Sequence, residues 1–591
     1  MATVTIQQAL QMAFGHHQAG RLAEAESIYR QILAVEPRNA DALHLLGLIA
    51  HLTGQHEVAM DLISQAIAVQ PAWPMLHGNL GEACRALGRI EEAIGHYRRA
   101  LALEPRFFDA RNNLGIAFLT RGDLATAEAC FAEAHALEPG NPRPLNNLGG
   151  LRLKQGRFEE AVTFFKRALA LDPAYAEAHS NLGHALEKAG RAEEAIAPCE
   201  RALELRPDYA EACNHLGNAL QVLGRLAEAL PFYERAVALL PNPAEAHNNL
   251  GSLFFQQGRY AEARASIRRA LELEPQSAGA HWNQALLLLA LGEFEQGWPE
   301  YEWRWLSLQC GDQRPFAQPQ WKGEAFEGRT ILLHAEQGWG DSLHMARYVP
   351  MVAARGGKVL LEGPPELREM LRALPGVERW ITRGEALPDF ALHCPVMSLP
   401  LAFGTVRETI PAAVPYLAAP AEKVSHWRAR MGGEERFKVG LAWGGRPSHK
   451  GDRQRSMALR LLEPLLATES VRFFSLQKGP PAEQARAFPV LCDWTAELAD
   501  FSDTAGLIGN LDLVIAVDTA VAHLAGALGK PVWTLIPFAP DWRWGVEGGE
   551  SAWYPTMRLF RQPREGDWAG VVAEVAAALG ARALEPRLYR S

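Results

Sequence analysis

Glycine stands at positions 20, 54, 88, 122, 156, 190, 224, 258 and 292, each 34 residues after the one before. A fixed period of this length across half of a 591-residue chain marks a stacked array of two-helix units, each burying its apolar face only against its neighbours. Leu-Gly pairs at 80–81, 114–115, 148–149, 182–183, 216–217 and 250–251 fall in the first helix of each unit, where a missing side chain permits a close helix crossing. Ala59, Ala93, Ala127, Ala161, Ala195, Ala229 and Ala263 mark the second helix. Pro71, Pro105, Pro139, Pro173, Pro207, Pro241 and Pro275 end it, because proline cannot continue a helix.

This order of small, large and punctuating residues resembles the tetratricopeptide family from about residue 5 to about residue 300. The first unit, with Met12-Ala13 in place of Leu-Gly, and the last, with Gln284-Ala285, depart from the motif as terminal units do, and the last is expected to dock onto the second half of the chain. One polar row repeats: Asn79, Asn113, Asn147, Asn181, Asn249 and Asn283 share a helical position, with His215 in the gap and Asn112, Asn146, Asn214 and Asn248 preceding four of these positions. Carboxamides both donate and accept, so such a row can line a groove that grips an extended peptide backbone without reading its sequence. It can equally cap contacts between neighbouring helices. The row resembles the asparagine ladder of the protein O-linked N-acetylglucosamine transferases, which also join a tetratricopeptide array to a catalytic region.

A formal net charge of −9 excludes a general basic footprint for nucleic acid, so any phosphate site must be local. The seven cysteines are scattered without a Cys-x-x-Cys pair, which suits a reducing compartment. The start of the chain carries no basic segment followed by an apolar stretch, and no apolar run approaches the ~18 residues that cross a bilayer. A cytoplasmic protein without a membrane span is expected.

Beyond a Trp-rich junction, with Trp298, Trp303, Trp305 and Trp321, strand-like and helix-like segments alternate. Strands are predicted at 330–335, 358–362, 378–381 and 390–393, and again at 438–443, 471–476, 513–517 and 532–536, with helices at 342–354, 366–373, 459–467, near 504–508 and at 520–528. Such alternation implies parallel sheets, here in two lobes with a cleft between them. The expected division is a solenoid of about nine units over 1–305, a junction over 306–327, an acceptor-side lobe over 328–433 and a donor-side lobe over 434–591.

Ligands of open α/β sheets bind beyond the carboxyl ends of the strands, so the turns at 338–342, 444–456 and 518–519 should face one crevice. Asp518 is placed to cap the helix after it, leaving Thr519 and the first helical amides for a phosphate. His523, one turn deeper on the same face, can donate to a phosphate or ribose oxygen, or serve the core. The loop at 444–456 holds Arg446, His449, Lys450, Arg453 and Arg455, enough cations to close on a diphosphate. Aromatic and arginine residues at 537–544, 553–555 and 558–561 can stack on a base or sugar, or pack between the lobes.

Gly-Asp after the first strand, a basic residue leading into the helix after the first strand of the second lobe, and Val-Asp-Thr-x-x-x-His-Leu-Ala-x-Ala-Leu-Gly-Lys-Pro at 517–531 together resemble the heptosyltransferase-type glycosyltransferase family over about residues 328–580. The resemblance implies a two-lobed glycosyltransferase B-type, double Rossmann-like fold behind the α-helical solenoid, a nucleotide-sugar donor, no metal, no further cofactor, and inversion at the transferred carbon. By position it puts Asp341 on the general base, Arg455 on a cation that holds the donor phosphates, and Thr519 and His523 in the donor site. Asp341 as an ordinary helix cap stays open beside that role. Ala520 replaces the usual glycine after Asp-Thr, and the loop from Gly444 is longer than in lipopolysaccharide heptose enzymes.

The expected function is transfer of a sugar from a nucleotide sugar to a polypeptide recruited by the repeats. Two rivals stand beside it. Gly338-x-Gly340 imitates a dinucleotide fingerprint, but Leu343 occupies the place of its third glycine. A catalytically inactive docking scaffold is the other.

Overall fold

A computed structural model describes residues 5–307, 314–447 and 451–584. The chain forms two compact units, Met1–Leu239 and Leu240–Ser591. Among the described residues, the first unit is fourteen helices in seven antiparallel pairs, from Ile6–Gln18 to Leu226–Leu239. Thr5 opens the first helix with a reciprocal cap, its hydroxyl taking the Gln8 amide while the Gln8 side chain takes its own. The turn glycines adopt φ between 71° and 91°, the left-handed region that side chains disfavour, which is why the 34-residue mark is glycine. The Leu-Gly glycine of each unit receives a side chain of the paired helix, an aromatic ring in four of them: a Cβ built at Gly149 would lie 2.5 Å from Phe165 Cε1.

Most of the asparagine row serves as struts between successive units, whereas Asn113 accepts from its neighbour Asn112. Asn147 Nδ2 donates to Asn112 Oδ1 at 2.9 Å, Asn181 Nδ2 to Asn146 Oδ1 at 3.0 Å, and Asn79 Nδ2 lies 2.7 Å from His44 Nε2. His215 fills its gap in the same way, Nδ1 standing 3.0 Å from Ser180 Oγ. The front residue of each of these struts is half-buried and the rear asparagine, at 112 or 146, is buried, so a donor of the front carboxamide is spent on holding units together.

The second unit begins with two further helix pairs, Ala244–Gln256 with Tyr260–Leu273 and Ala278–Ala290 with Phe294–Tyr301, and continues into two α/β lobes. Asn249 and Asn283 repeat the polar row here, Asn283 Nδ2 donating to Asn248 Oδ1 at 2.8 Å. The last helix is built into the lobes: Trp298 Nε1 donates to the Thr405 carbonyl at 2.8 Å, and its ring meets Trp542 edge-on at 5.2 Å. Just beyond it Arg304, fully buried, bonds Glu302, Glu336 and Ser398.

The first lobe holds β1 (Thr330–His334), β2 (Lys358–Gly363), β3 (Val377–Thr382) and β4 (Leu392–Pro395) in the order β3-β2-β1-β4. The second holds β5 (Phe437–Ala442), β6 (Val471–Ser475), β7 (Leu491–Cys492), β8 (Leu513–Val517), β9 (Val532–Ile536) and β10 (Met557–Arg561) in the order β10-β9-β8-β5-β6-β7. All pairings between these strands are parallel. The strand order reverses between β1 and β4 and again between β5 and β8, the two places where a crevice opens at the carboxyl edge of such a sheet.

Several elements differ from the sequence reading. The helix expected over 342–354 starts earlier, at Trp339, and is broken into Trp339–Met345, a 3-10 turn Ala346–Tyr348 and Val349–Ala353, because Pro350 has no amide to continue the ladder. The segment at 558–561, considered for stacking on a ligand, lies in the edge strand β10, with Phe560 in the core and Arg561 bonding the carbonyls of Trp544, Gly545 and Gly548. The helix Ala421–Met431, ahead of the second lobe, is not among the helices read from the sequence. Among the described residues no helix is long and apolar enough to cross a membrane.

Candidate functional site

The turn after β1 carries Asp341 at the third position of the helix Trp339–Met345. Its Oδ2 accepts the Gly338 amide at 2.8 Å, as an acidic residue does when it reaches back to close the start of its own helix. Its Oδ1 is ion-paired with Nη2 of Arg543 from the second lobe. The carboxylate is 22 % exposed and the guanidinium 7 %, so this pair crosses the seam between the lobes with little solvent screening.

The backbone beside Asp341 touches the other lobe directly. A Cβ on Gly340 would lie 3.1 Å from His523 Cδ2 and 3.5 Å from Ala520 Cα, so a side chain here would crowd the close approach of two lobes. Leu343 is buried in the core. The seam thereby accounts for a glycine that had imitated a dinucleotide fingerprint.

From the second lobe, β8 delivers Asp518 and Thr519. The expectation that Asp518 caps the next helix is corrected: Thr519 is the cap of Ala520–Ala527, its hydroxyl accepting the Val521 amide at 3.2 Å. Asp518 stays at the strand end and is buried, and loss of hydration raises its pKa to about 6. The carboxylate of Asp541 contributes to that rise and the guanidinium groups of Arg455 and Arg543 oppose it, so both cations stand within electrostatic range of one carboxyl. His523 Nε2 lies 4.0 Å from Asp518 Oδ1.

His523 faces inward. Its Nδ1 lies 2.9 Å from the Tyr554 hydroxyl and its ring stacks on Trp544, with centroids 5.2 Å apart. The same hydroxyl is 3.0 Å from His344 Nδ1 and 3.3 Å from the Tyr416 hydroxyl, to which Arg347 also donates. Burial and the neighbouring arginines hold both imidazoles well below their usual pKa, that is, neutral. His523 therefore joins a buried polar network behind the seam through Nδ1, while the Nε2 edge of its ring is turned toward Asp518 and Gly340.

The loop after β5 folds back on itself. Trp443 and Gly444 donate their amides to Gln477 Oε1, and Gly445 donates to Ser456 Oγ, which in turn donates to Asp452 Oδ1 at 2.8 Å. The short helix Asp452–Arg455 is thereby pressed onto Gly445, where a Cβ would lie 3.0 Å from Arg455 Nε and Nη2. Arg455 turns inward, its buried Nε 3.6 Å from Asp452 Oδ1 and without a hydrogen bond, while Arg446 and Arg453 are exposed. His449 lies outside the described residues.

The structure thus brings Asp341, Arg455, Asp518 and Thr519 to one seam, with His523 behind it. Sequence reasoning did not single out Arg543 and Asp541, whose carboxylate holds Nη1 of Arg543 at 2.8 Å, nor Tyr554. The signal for Asp541 and Arg543 was the segment Asp541-Trp-Arg-Trp544, which reads as an aromatic patch until its partner at 341 is known, and Tyr554 lay within the aromatic stretch at 553–555.

Comparison with known proteins bears on both parts of the chain. Tetratricopeptide repeat models match residues 16–80 and 244–277, and the model of the cilia and flagella-associated protein 70 C-terminal domain matches residues 75–248. The model of glycosyltransferase family 9 (heptosyltransferase) matches residues 463–544. The tetratricopeptide matches fall in the helical array, and the family 9 match falls within the second lobe, from the helix Glu463–Leu466 to the turn Trp542–Trp544.

A curated relative, Protein FlbA of Caulobacter vibrioides, is 30 % identical over 332 residues, covering 49 % of this chain and 53 % of FlbA, so the chain spans about half the length of that protein. Among solved structures, a chain of the APC/C hetero-tetramer Cut9-Hcn1 is 19 % identical, with 48 % of this chain and 55 % of that one covered and a TM-score of 0.40. A tetratricopeptide repeat protein from Parabacteroides merdae is 17 % identical over 42 % of this chain and 98 % of its own, with a TM-score of 0.38. The family 9 match supports glycosyl transfer in general terms.

Proposed function

We propose that this protein transfers a sugar from a nucleoside-diphosphate donor to a hydroxyl of a polypeptide recruited by the repeats, in the cytoplasm and without a metal. The reading is supported above all by the convergence at one seam of three strand-end turns that carry a carboxylate, a guanidinium and a capped helix start. The acceptor oxygen attacks the anomeric carbon as its proton passes to Asp341. The carbon–oxygen bond to the diphosphate breaks, and its electron pair leaves with the phosphate. One displacement from one face inverts that carbon. Arg455 and the helix start at Thr519 face the charge that develops on the leaving diphosphate, where fixed positive groups lower the barrier most. The struts spend one N–H of Asn147, Asn181 and Asn283, and the oxygen and second N–H of each carboxamide are the complement a peptide backbone needs.

The test is a panel of uridine, guanosine, adenosine and cytidine diphosphates in a thermal-shift titration, followed by transfer assays with the matching sugar nucleotides. A ligand bound only by the folded state raises its melting temperature. Asp341→Asn is expected to reduce turnover by at least about 100-fold, the usual contribution of a general base. Absence of any shift with all four nucleotides would favour a docking scaffold.

A further inference from the structure

The candidate base and the cation opposite it are tied together. Both oxygens of Asp341 are engaged, Oδ2 by the Gly338 amide of its own turn and Oδ1 by Arg543 from the other lobe. Arg543 is shared. Its Nη1 is held by Asp541 at 2.8 Å, its guanidinium lies 4.3 Å from the centre of the Trp542 ring, and its buried Nε makes no hydrogen bond. An unpaired N–H at that depth is costly unless another arrangement of the site uses it.

The surrounding charges point to what that arrangement serves. Gly340, beside Asp341 in its turn, lies against Ala520, the first residue of the helix capped by Thr519, and Trp544, next to Arg543 in the chain, stacks on His523 of that same helix, so Arg543 stands beside the place proposed for the diphosphate. A guanidinium pairs with phosphate as readily as with carboxylate, in the same planar, two-pronged manner. Diphosphate and Asp341 therefore compete for one cation.

We propose that Arg543 is a donor-sensing latch: with the site empty it holds Asp341, and the diphosphate of an arriving donor draws it away, releasing the carboxylate to act as base. This rests on the transferase reading and adds an order to it. The donor must bind before the base is available, so an acceptor hydroxyl alone meets an occupied carboxylate. Arg543 is then a second phosphate ligand beside Arg455, supplied by the 3-10 turn Trp542–Trp544.

The latch makes an unusual demand, that removing the base should strengthen donor binding. Isothermal titration of the full chain with whichever of the uridine, guanosine, adenosine and cytidine diphosphates it binds should show Asp341→Asn binding about tenfold tighter than wild type and Arg543→Ala about tenfold weaker. The double variant separates the latch from simple loss of a negative charge. With Arg543 already absent, Asp341→Asn should add nothing, and tightening that persists in that background overturns the latch. Should Arg543→Ala fail to fold, Asp341→Asn, an isosteric change at a partly exposed position, carries the test: unchanged or weaker binding overturns the proposal. Wild-type protein that binds none of the four nucleotides overturns the transferase reading and the latch together, whereas wild-type binding with no gain in Asp341→Asn removes the latch alone.

Discussion

Asp518 shows how a single side chain can be placed correctly in the sequence and still be assigned the wrong task. A carboxylate directly before an apolar helical run reads as the cap, but the chain leaves β8 one residue later than that reading requires, and the shorter hydroxyl of Thr519 reaches the Val521 amide instead. Asp518 remains on the strand end, buried beside Asp541, Arg455, Arg543 and His523. Its burial sets the sign of its effect on stability. The folded carboxyl keeps its proton up to about pH 6 while the unfolded one loses it near 3.8, so folding takes up a proton between those values. Its contribution is complete below the lower value and is lost as pH rises through the upper one, by roughly 2 to 3 kcal/mol. Asp518→Asn is expected to remove that loss. Urea unfolding of variant and wild type at steps from pH 4 to 7 should show the variant gaining relative stability across this window, and a constant difference would contradict the assignment. Arg543 was missed for a different reason: its partner lies 202 positions away, and nothing local to Asp541-Trp-Arg-Trp544 names residue 341.

At the scale of elements, the repeats were legible because each unit's contacts are mostly local or one period away, so the constraint recurs in the sequence with the same spacing. The adjacent glycines 149 and 150 sharpen this. Both lie within the helix Arg143–Lys154, yet Gly149 is filled by the ring of Phe165 while nothing approaches within 4 Å of a Cβ at Gly150. Gly149→Ala is expected to destabilise the first unit by about 1 to 2 kcal/mol, because crowding of a buried ring outweighs the gain in helix propensity. Gly150→Ala should stabilise it by up to about 1 kcal/mol. Thermal melts of the two variants decide this, and shifts of the same sign would refute the crossing geometry. The strand β8 announces itself as a continuous apolar run, whereas β7 is two residues long and the helix Ala421–Met431 buries little besides Trp427, so neither leaves a clear period.

For the molecule as a whole, the second unit takes in the last two repeat pairs together with both lobes, and Trp298 is the centre of that union. Trp298→Ala is expected to cost the second unit about 3 to 5 kcal/mol, as truncation of a buried aromatic does. Hydrogen exchange should quicken over 399–406 and 540–545, with transfer activity falling alongside. Unchanged protection there would mean that the last helix does not brace the lobes. The sequence by itself determined the solenoid, the two-lobed α/β character and the three strand-end turns, because period, apolar runs and turn residues act between near neighbours. Only the tertiary structure decided strand order, the inward turn of His523, the use of most of the asparagine row as struts and the ion pair between Asp341 and Arg543. Those depend on which distant surfaces meet, and the free energy of such a meeting belongs to both partners at once and is written in neither segment alone.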